Sequence, residues 1–295
     1  MDVDHSVRML SMENGLDFAV QVQETGPTLL LVHGFPLDHT QWRMQVGRLG
    51  RHCRMIAPDL RGFGRSLNLG NLSANAPSED DTDFSVGPVL AELSMEQLAD
   101  DLAETLEALH ETEPVTVCGL AMGGSVALQF WKRHRERLHS LILCSTRAAA
   151  DPPNERQAQI ENSLRVQREG TDFLIAQMLP KMMSAYTRAR QPLLTADVRR
   201  AMERASPAGV AAALKGMAQR ADLSAVLPQI DVPTLVLGGG DDTITPPAEM
   251  QQMAAAIPAA EFVTIPQAGH LAPLESPLAA NVAIEQFLKK IGRIS

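Results

Sequence analysis

The sequence predicts an α/β fold: a mostly parallel, doubly wound sheet carrying an all-helical insertion. Three observations predict it. Short, continuous apolar runs recur along the chain, helical patterns alternate with them, and one long stretch, 148–227, is helical in composition with no strand signal. A run that is apolar at every position suits a strand buried on both faces. Alternation of such strands with helices builds a parallel sheet covered on each side.

The chain opens with a hairpin pattern. Val7–Met12 and Leu16–Val22 flank Glu13-Asn14-Gly15, and Asn-Gly supplies the positive φ angles of a tight turn. Thr28–His33 is the first two-sided strand, cut off by Gly34. Cys53–Ala57, Val115–Cys118, Ser140–Cys144, Thr234–Leu237 and Phe262–Ile265 continue the set. The clearest helix is Met95–His110, with Leu98, Leu102, Leu106 and Leu109 recurring along it. Ser94 is its N-cap, and Gln97 three residues on completes a capping box. Gly123–Arg135 follows the Val115–Cys118 strand, and Pro277–Lys290 closes the chain. Residues 67–90, rich in Asn, Ser, Pro and Asp without periodicity, read as a mobile acidic loop. Within 148–227, Pro152-Pro153, Pro180, Pro192 and Pro207 are expected to divide short helices. The expected organisation is a core of 1–147 and 228–295, with 148–227 lying over it as a cap.

Composition narrows the function classes. Net charge is −9, which argues against a nucleic-acid surface, since phosphate binding needs a basic face. No apolar run approaches a membrane span, and Met1–Ser11 lacks the apolar segment of a secretory signal, so a cytoplasmic location is expected. The cysteines Cys53, Cys118 and Cys144 have no metal-ligand spacing and read as buried small hydrophobes.

Chemistry concentrates at Val117–Gly124, where a strand runs into a Gly-flanked turn and then a helix. Gly119-Leu120-Ala121-Met122-Gly123 has the layout of a nucleophile elbow, Gly-x-Ser-x-Gly, whose small residues let strand and helix backbones approach. Such a turn aims its central residue at the positive end of the following helix, where backbone N–H groups stabilise an oxyanion. Here that residue is Ala121, so only the hydroxyl is missing. Three other segments each follow a predicted strand: His33-Gly34-Phe35-Pro36, Gly239–Pro247 with Asp241 and Asp242, and Gln267–Pro273 with His270. Asp59–Ser66 follows another.

Over nearly its whole length the chain resembles the α/β-hydrolase superfamily, and within it the carboxylesterase and 3-oxoadipate enol-lactonase-like branch. The pieces that carry the resemblance are His-Gly-Phe-Pro-Leu-Asp at 33–38, Asp-Leu-Arg-Gly-Phe-Gly-Arg-Ser at 59–66, Cys-Gly-Leu-Ala-Met-Gly-Gly at 118–124 and Gly-His-Leu-Ala-Pro-Leu-Glu at 269–275. The resemblance implies an α/β-hydrolase fold and a serine esterase or lactonase acting on a small to medium, fairly apolar carboxylic ester or lactone. It implies no cofactor and no metal. Ala121 then occupies the nucleophile position and His270 is the base. Asp242 is the acid, because it stands four residues before Pro246 as the family's acid usually does, which leaves Asp241 as a turn residue. The oxyanion donors are the N–H groups of Phe35 and Met122. His33 and Gly34 order that loop and are candidates for substrate contact. So are Met178, Met182 and Tyr186 in the insertion, the alternative for the methionines being core packing. A monomer and a homodimer stay equally open.

Two explanations compete for Ala121. A serine replaced deliberately by alanine would stop turnover and leave the pocket intact to trap a ligand; a natural relic would bind a ligand without hydrolysing it. The retained acid and histidine favour the first. Ser125, one helical turn on, should point along the helix and is a poor substitute nucleophile. Perhydrolases and C–C bond hydrolases carry related motifs and remain alternatives of the same fold.

Overall fold

The computed structural model describes residues 7–11, 17–23, 26–66 and 92–295. The Glu13-Asn14-Gly15 turn and the expected loop at 67–90 lie outside them. One eight-stranded sheet forms the centre, in the order β1-β2-β4-β3-β5-β6-β7-β8. The strands are β1 (Val7–Ser11), β2 (Asp17–Gln23), β3 (Thr28–Val32), β4 (Arg54–Pro58), β5 (Val115–Leu120), β6 (Leu138–Cys144), β7 (Thr234–Gly239) and β8 (Ala260–Ile265). β1 pairs antiparallel with β2, and β2 with β4, whereas β4 through β8 run parallel.

The continuous apolar runs have the predicted cause. Along β3, Leu30 and Val32 join one core cluster while Leu29 and Leu31 join another. The alternation repeats in β6, with Leu141 and Leu143 on one side and Ile142 and Cys144 on the other. A period of two carries successive side chains to opposite faces, so a strand covered on both faces must be apolar throughout.

The first cluster is covered by α2 (Met95–Ala108) and α3 (Met122–Arg133), the second by α1 (Arg43–Leu49) and α11 (Pro277–Lys290). Ser94 caps α2 by accepting from the Gln97 N–H at 3.1 Å, and Leu98, Leu102 and Leu106 are fully buried. Burying a leucine of this kind contributes about 1.5–3 kcal/mol. Between β6 and β7 the chain is helical: α4 (Pro153–Glu169), α5 (Asp172–Met182), α6 (Ala185–Arg190), α7 (Pro192–Arg204) and α8 (Pro207–Gln219). Pro153, Pro192 and Pro207 stand in the first turns of their helices, where a missing N–H costs nothing. Pro180 does not divide helices as expected. It lies inside α5, in the last turn, where the helix is about to end. After β7 come α9 (Pro247–Ala256), which the sequence pattern did not signal, and after β8 the short α10 (Ala272–Glu275).

All three thiols are free and buried. Burial pushes Cys53 up to about 11 and raises Cys118 as well, with Cys144 at 4.0 Å from it on the neighbouring strand. Because the thiolate is the reactive form, the native protein should take up no label from an aromatic disulfide reagent at pH 8. All three thiols should react once it is unfolded in urea. Rapid stoichiometric labelling of the native state would contradict this burial.

Candidate active site

The site gathers at the carboxyl ends of the parallel strands. β5 ends at Leu120 and α3 begins at Met122, so the whole reversal falls on Ala121, which has φ 51° and ψ −112°. Side-chain-bearing residues seldom occupy positive φ, and such strain is kept where surrounding structure enforces it. The enforcing bonds are the Ala121 N–H to Cys144 O at 2.9 Å and the Thr146 hydroxyl to Ala121 O at 2.8 Å. Gly119 shows why the flanking residues must be small: a Cβ there would lie 2.1 Å from the carbonyl oxygen of Gly123.

Asp242 and His270 come from the turns after β7 and β8. Both are buried, at 4% and 5% exposure, and His270 Nδ1 lies 2.9 Å from Asp242 Oδ2. The other carboxylate oxygen, Oδ1, accepts the N–H groups of Ile244 at 2.9 Å and Thr245 at 3.0 Å. With Oδ1 so engaged, Oδ2 is free to accept an Nδ1–H, and in the neutral ring that tautomer makes Nε2 the acceptor nitrogen. Asp241 is exposed, and its N–H donates to Ala268 O, as a turn residue.

A cavity of about 460 Å³ opens over this group. Ala121, Met122, Phe35 and His270 line its floor, and Leu174, Met178, Met182 and Met217 its roof. This size is typical of a small-molecule site. The N–H groups of Phe35 and Met122 donate to nothing among the described residues. The rim is polar, with Arg147, Asp151, Lys181 and Arg220, and Arg220 pairs with Asp151 at 2.9 Å. Ser125, one turn into α3, is also among the lining residues.

Three expected contact residues lie elsewhere. His33 is wholly buried beneath the floor. Its Nε2 accepts the Leu60 N–H at 3.0 Å, its Nδ1–H donates to Gly34 O at 3.1 Å, and its ring meets Phe63 edge-on. Gly34 lies under Leu120 and donates to Gln41 Oε1 at 2.9 Å. Tyr186 is 47% exposed on the outer side of α6, because the α5–α6 turn points it away from the cavity. His33 and Gly34 therefore act through the loop they hold, not on a ligand. The same layer includes Asp59, whose Oδ1 accepts from the ring and backbone N–H groups of His39 and whose Oδ2 accepts the Arg65 N–H at 2.9 Å. Burial opposes its ionisation, but the bonds and charge of His39 prevail and hold its pKa below the usual carboxylate range. Asp38, His39 and Asp59 are the one group close enough for a metal among the described residues, and their ligand atoms are engaged in these internal bonds and in the Arg204–Asp38 pair.

Burial lowers the pKa of His33 below 6.5. Between the lowered folded value and about 6.5 the unfolded chain binds the proton and the folded chain does not, so stability is lost as pH falls through that window. Urea midpoints should fall between pH 7.5 and 5.5, and His33→Gln should fall less steeply. An equal slope in the variant would remove His33 from the account.

A strained strand-to-helix corner facing a histidine–aspartate pair across a roofed cavity defines a hydrolase scaffold of the nucleophile-elbow kind. The chain belongs to the alpha/beta hydrolase family, which matches residues 29–284. It is similar to the structure of a malate-bound thermophilic esterase from Thermogutta terrifontis, with 39% identity and a TM-score of 0.86 over 97% of this chain and 99% of that one. It is 25% identical to 3-oxoadipate enol-lactonase 1 of Acinetobacter baylyi, covering 97% of this chain and 98% of that protein. The enol-lactonase of Burkholderia xenovorans LB400 shares the fold, with 24% identity, a TM-score of 0.81, and coverage of 96% of this chain and 100% of its own. These relatives support the esterase and enol-lactonase branch. No helix among the described residues is long and apolar enough to cross a membrane.

Proposed function

We propose that the chain is the alanine form of a serine esterase or lactonase acting on a small to medium, fairly apolar ester or lactone. The observation that carries the reading is His270, bonded to the buried Asp242, sharing one cavity with the strained Ala121 corner and two undonated N–H groups. With serine at 121, His270 Nε2 takes the hydroxyl proton and the oxygen attacks the carbonyl carbon. Asp242 steadies the imidazolium, and the N–H groups of Phe35 and Met122 receive the oxyanion. His270 then returns the proton to the leaving alcohol and activates water to release the acid.

The four methionine and leucine side chains of the roof favour an apolar acyl or alcohol group. The retained acid and base support an engineered exchange of serine for alanine over a natural relic that binds without hydrolysing. The three free thiols support work in a reducing compartment, the cytoplasm. A second reading, a protein that binds its ligand without cleaving it, is favoured by Ala121 itself: its methyl group leaves the cavity open and removes the attacking atom. Assay of Ala121→Ser on short p-nitrophenyl esters and simple lactones, beside binding of the same compounds to the alanine protein, decides between them. Binding without any gain of turnover in the serine form supports the second reading and sinks the first.

A further inference from the structure

Glu275, the last residue of α10, is 4% exposed and has no surface role. One of its oxygens, Oε1, accepts the N–H groups of Gly269 at 2.9 Å and Leu271 at 3.2 Å, the residues on either side of His270. The other, Oε2, accepts the N–H of Ser184 at 2.9 Å, in the turn between α5 and α6. The same turn is tied to the histidine loop by two more bonds, and the N-cap of α7 adds a third. Leu271 N–H also donates to Met182 O at 3.1 Å, Ser184 Oγ to Gln267 O at 2.7 Å, and Gln191 Nε2 to the Glu275 carbonyl at 3.1 Å. The approach is so close that a Cβ on Gly269 would lie 2.5 Å from Ser184 N.

A buried carboxylate that takes three backbone donors is a fixed node, since each donor left without it would be a buried N–H lacking an acceptor. This node has an unusual placement. One oxygen holds both neighbours of the base, and the other holds Ser184, the N-cap of α6, two residues beyond the end of α5, the helix whose Leu174, Met178 and Met182 roof the cavity. We infer that Glu275 is a positioning residue coupling the roof helix to the orientation of the His270 ring, so that the wall touching the ligand also sets the aim of Nε2. The inference rests on the reading of His270 as the base.

The closing experiment has one arm that does not depend on that reading. Glu275→Gln keeps one oxygen for Gly269 and Leu271 but turns an NH₂ group against the Ser184 N–H, removing the carboxylate's own bond to the turn after α5 while keeping the histidine turn. In the Ala121 protein, nitrogen-15 spectra of the His270 ring give its tautomer and the solvent exchange of the Nδ1–H bonded to Asp242. Exchange in Glu275→Gln should be about tenfold faster, as expected for a local opening, with amide exchange in β5 and β6 unchanged. In the Ala121→Ser protein, the same substitution should lower kcat by about ten- to a hundredfold with KM little changed, the usual penalty for a displaced catalytic group. Glu275→Ala should be worse on both measures, and if it fails to fold, Glu275→Gln alone carries the test. Unchanged ring spectra and exchange in Glu275→Gln, with only a lower melting temperature, overturn the coupling and leave a purely structural carboxylate. A changed ring in a serine protein inert to every ester leaves the coupling standing and removes the esterase reading instead.

Discussion

Replacing Ala121 with serine should raise turnover of a short p-nitrophenyl ester by about 10⁶, the factor a serine hydrolase typically loses with its nucleophile. The expectation rests on how little else has to change. The corner already holds its central residue at φ 51°, so a serine meets the same backbone conformation as the alanine, with one added atom. That atom projects into the wall shared with His270, whose Nδ1 is engaged by Asp242 at 2.9 Å. The N–H groups of Phe35 and Met122, the proposed oxyanion donors, belong to a backbone held by other bonds: Gly34 to Gln41 at 2.9 Å on one side, Thr146 to Ala121 at 2.8 Å on the other. Stopped-flow assay should show a burst of p-nitrophenol equal to the enzyme concentration wherever deacylation is slower than acylation. A serine protein no faster than the alanine one would remove the hydroxyl as the missing part.

The second large effect concerns stability. Arg61 and Asp101 form a bidentate pair with side-chain exposures of 7% and 3%, including Arg61 Nε to Asp101 Oδ2 at 2.9 Å. It joins the 59–66 loop beneath the site to α2. Asp101→Ala should cost about 3–5 kcal/mol, because it removes the carboxylate that takes two bonds from a buried guanidinium. Against a total stability of about 5–15 kcal/mol this approaches unfolding. Replacing both partners by Leu and Met should cost far less, since burying an ion pair gains little over burying apolar groups of similar size. Urea midpoints of the single and double variants check the pair. If they fall equally, the loss reflects packing rather than uncompensated charge.

The parts of the fold that could be read in the sequence are those set by local pattern. The two-sided strands show as unbroken apolar runs because both faces of each are covered. Ser94 and Gln97 mark the start of α2 because capping is a local bond. The corner at 119–123 and the two loops carrying Asp242 and His270 are legible because a tight reversal restricts residue type. What failed depends on how elements lie against each other. Tyr186 and Met182 are four residues apart, yet the turn after α5 sends one to solvent and one to the cavity. Pro180 reads as a break but falls where a helix ends anyway. His33 and Gly34 stand in a family motif beside the site, and their burial under Leu120 and Phe63 appears only in three dimensions. Glu275 was in plain view in the Gly-His-Leu-Ala-Pro-Leu-Glu segment. Nothing in its neighbours says that its carboxylate faces inward to backbone donors.

The chain departs from the sheet after Cys144 and re-enters at Thr234, on strands that lie side by side, with Leu141 opposite Thr234 and Cys144 opposite Leu237. The long detour between them is therefore a tether with both anchors fixed by the same ladder. Closing such a tether grows dearer only logarithmically with its length, by about 0.6 kcal/mol per doubling. Descendants of this protein can lengthen or trim the detour away from Met182–Ser184 while Ala121, Asp242 and His270, all rooted on strand ends outside it, stay where they are. The cavity wall and the strand-end groups are thus free to change at separate rates everywhere but at the Met182–Ser184 turn, where hydrogen bonds tie the two together.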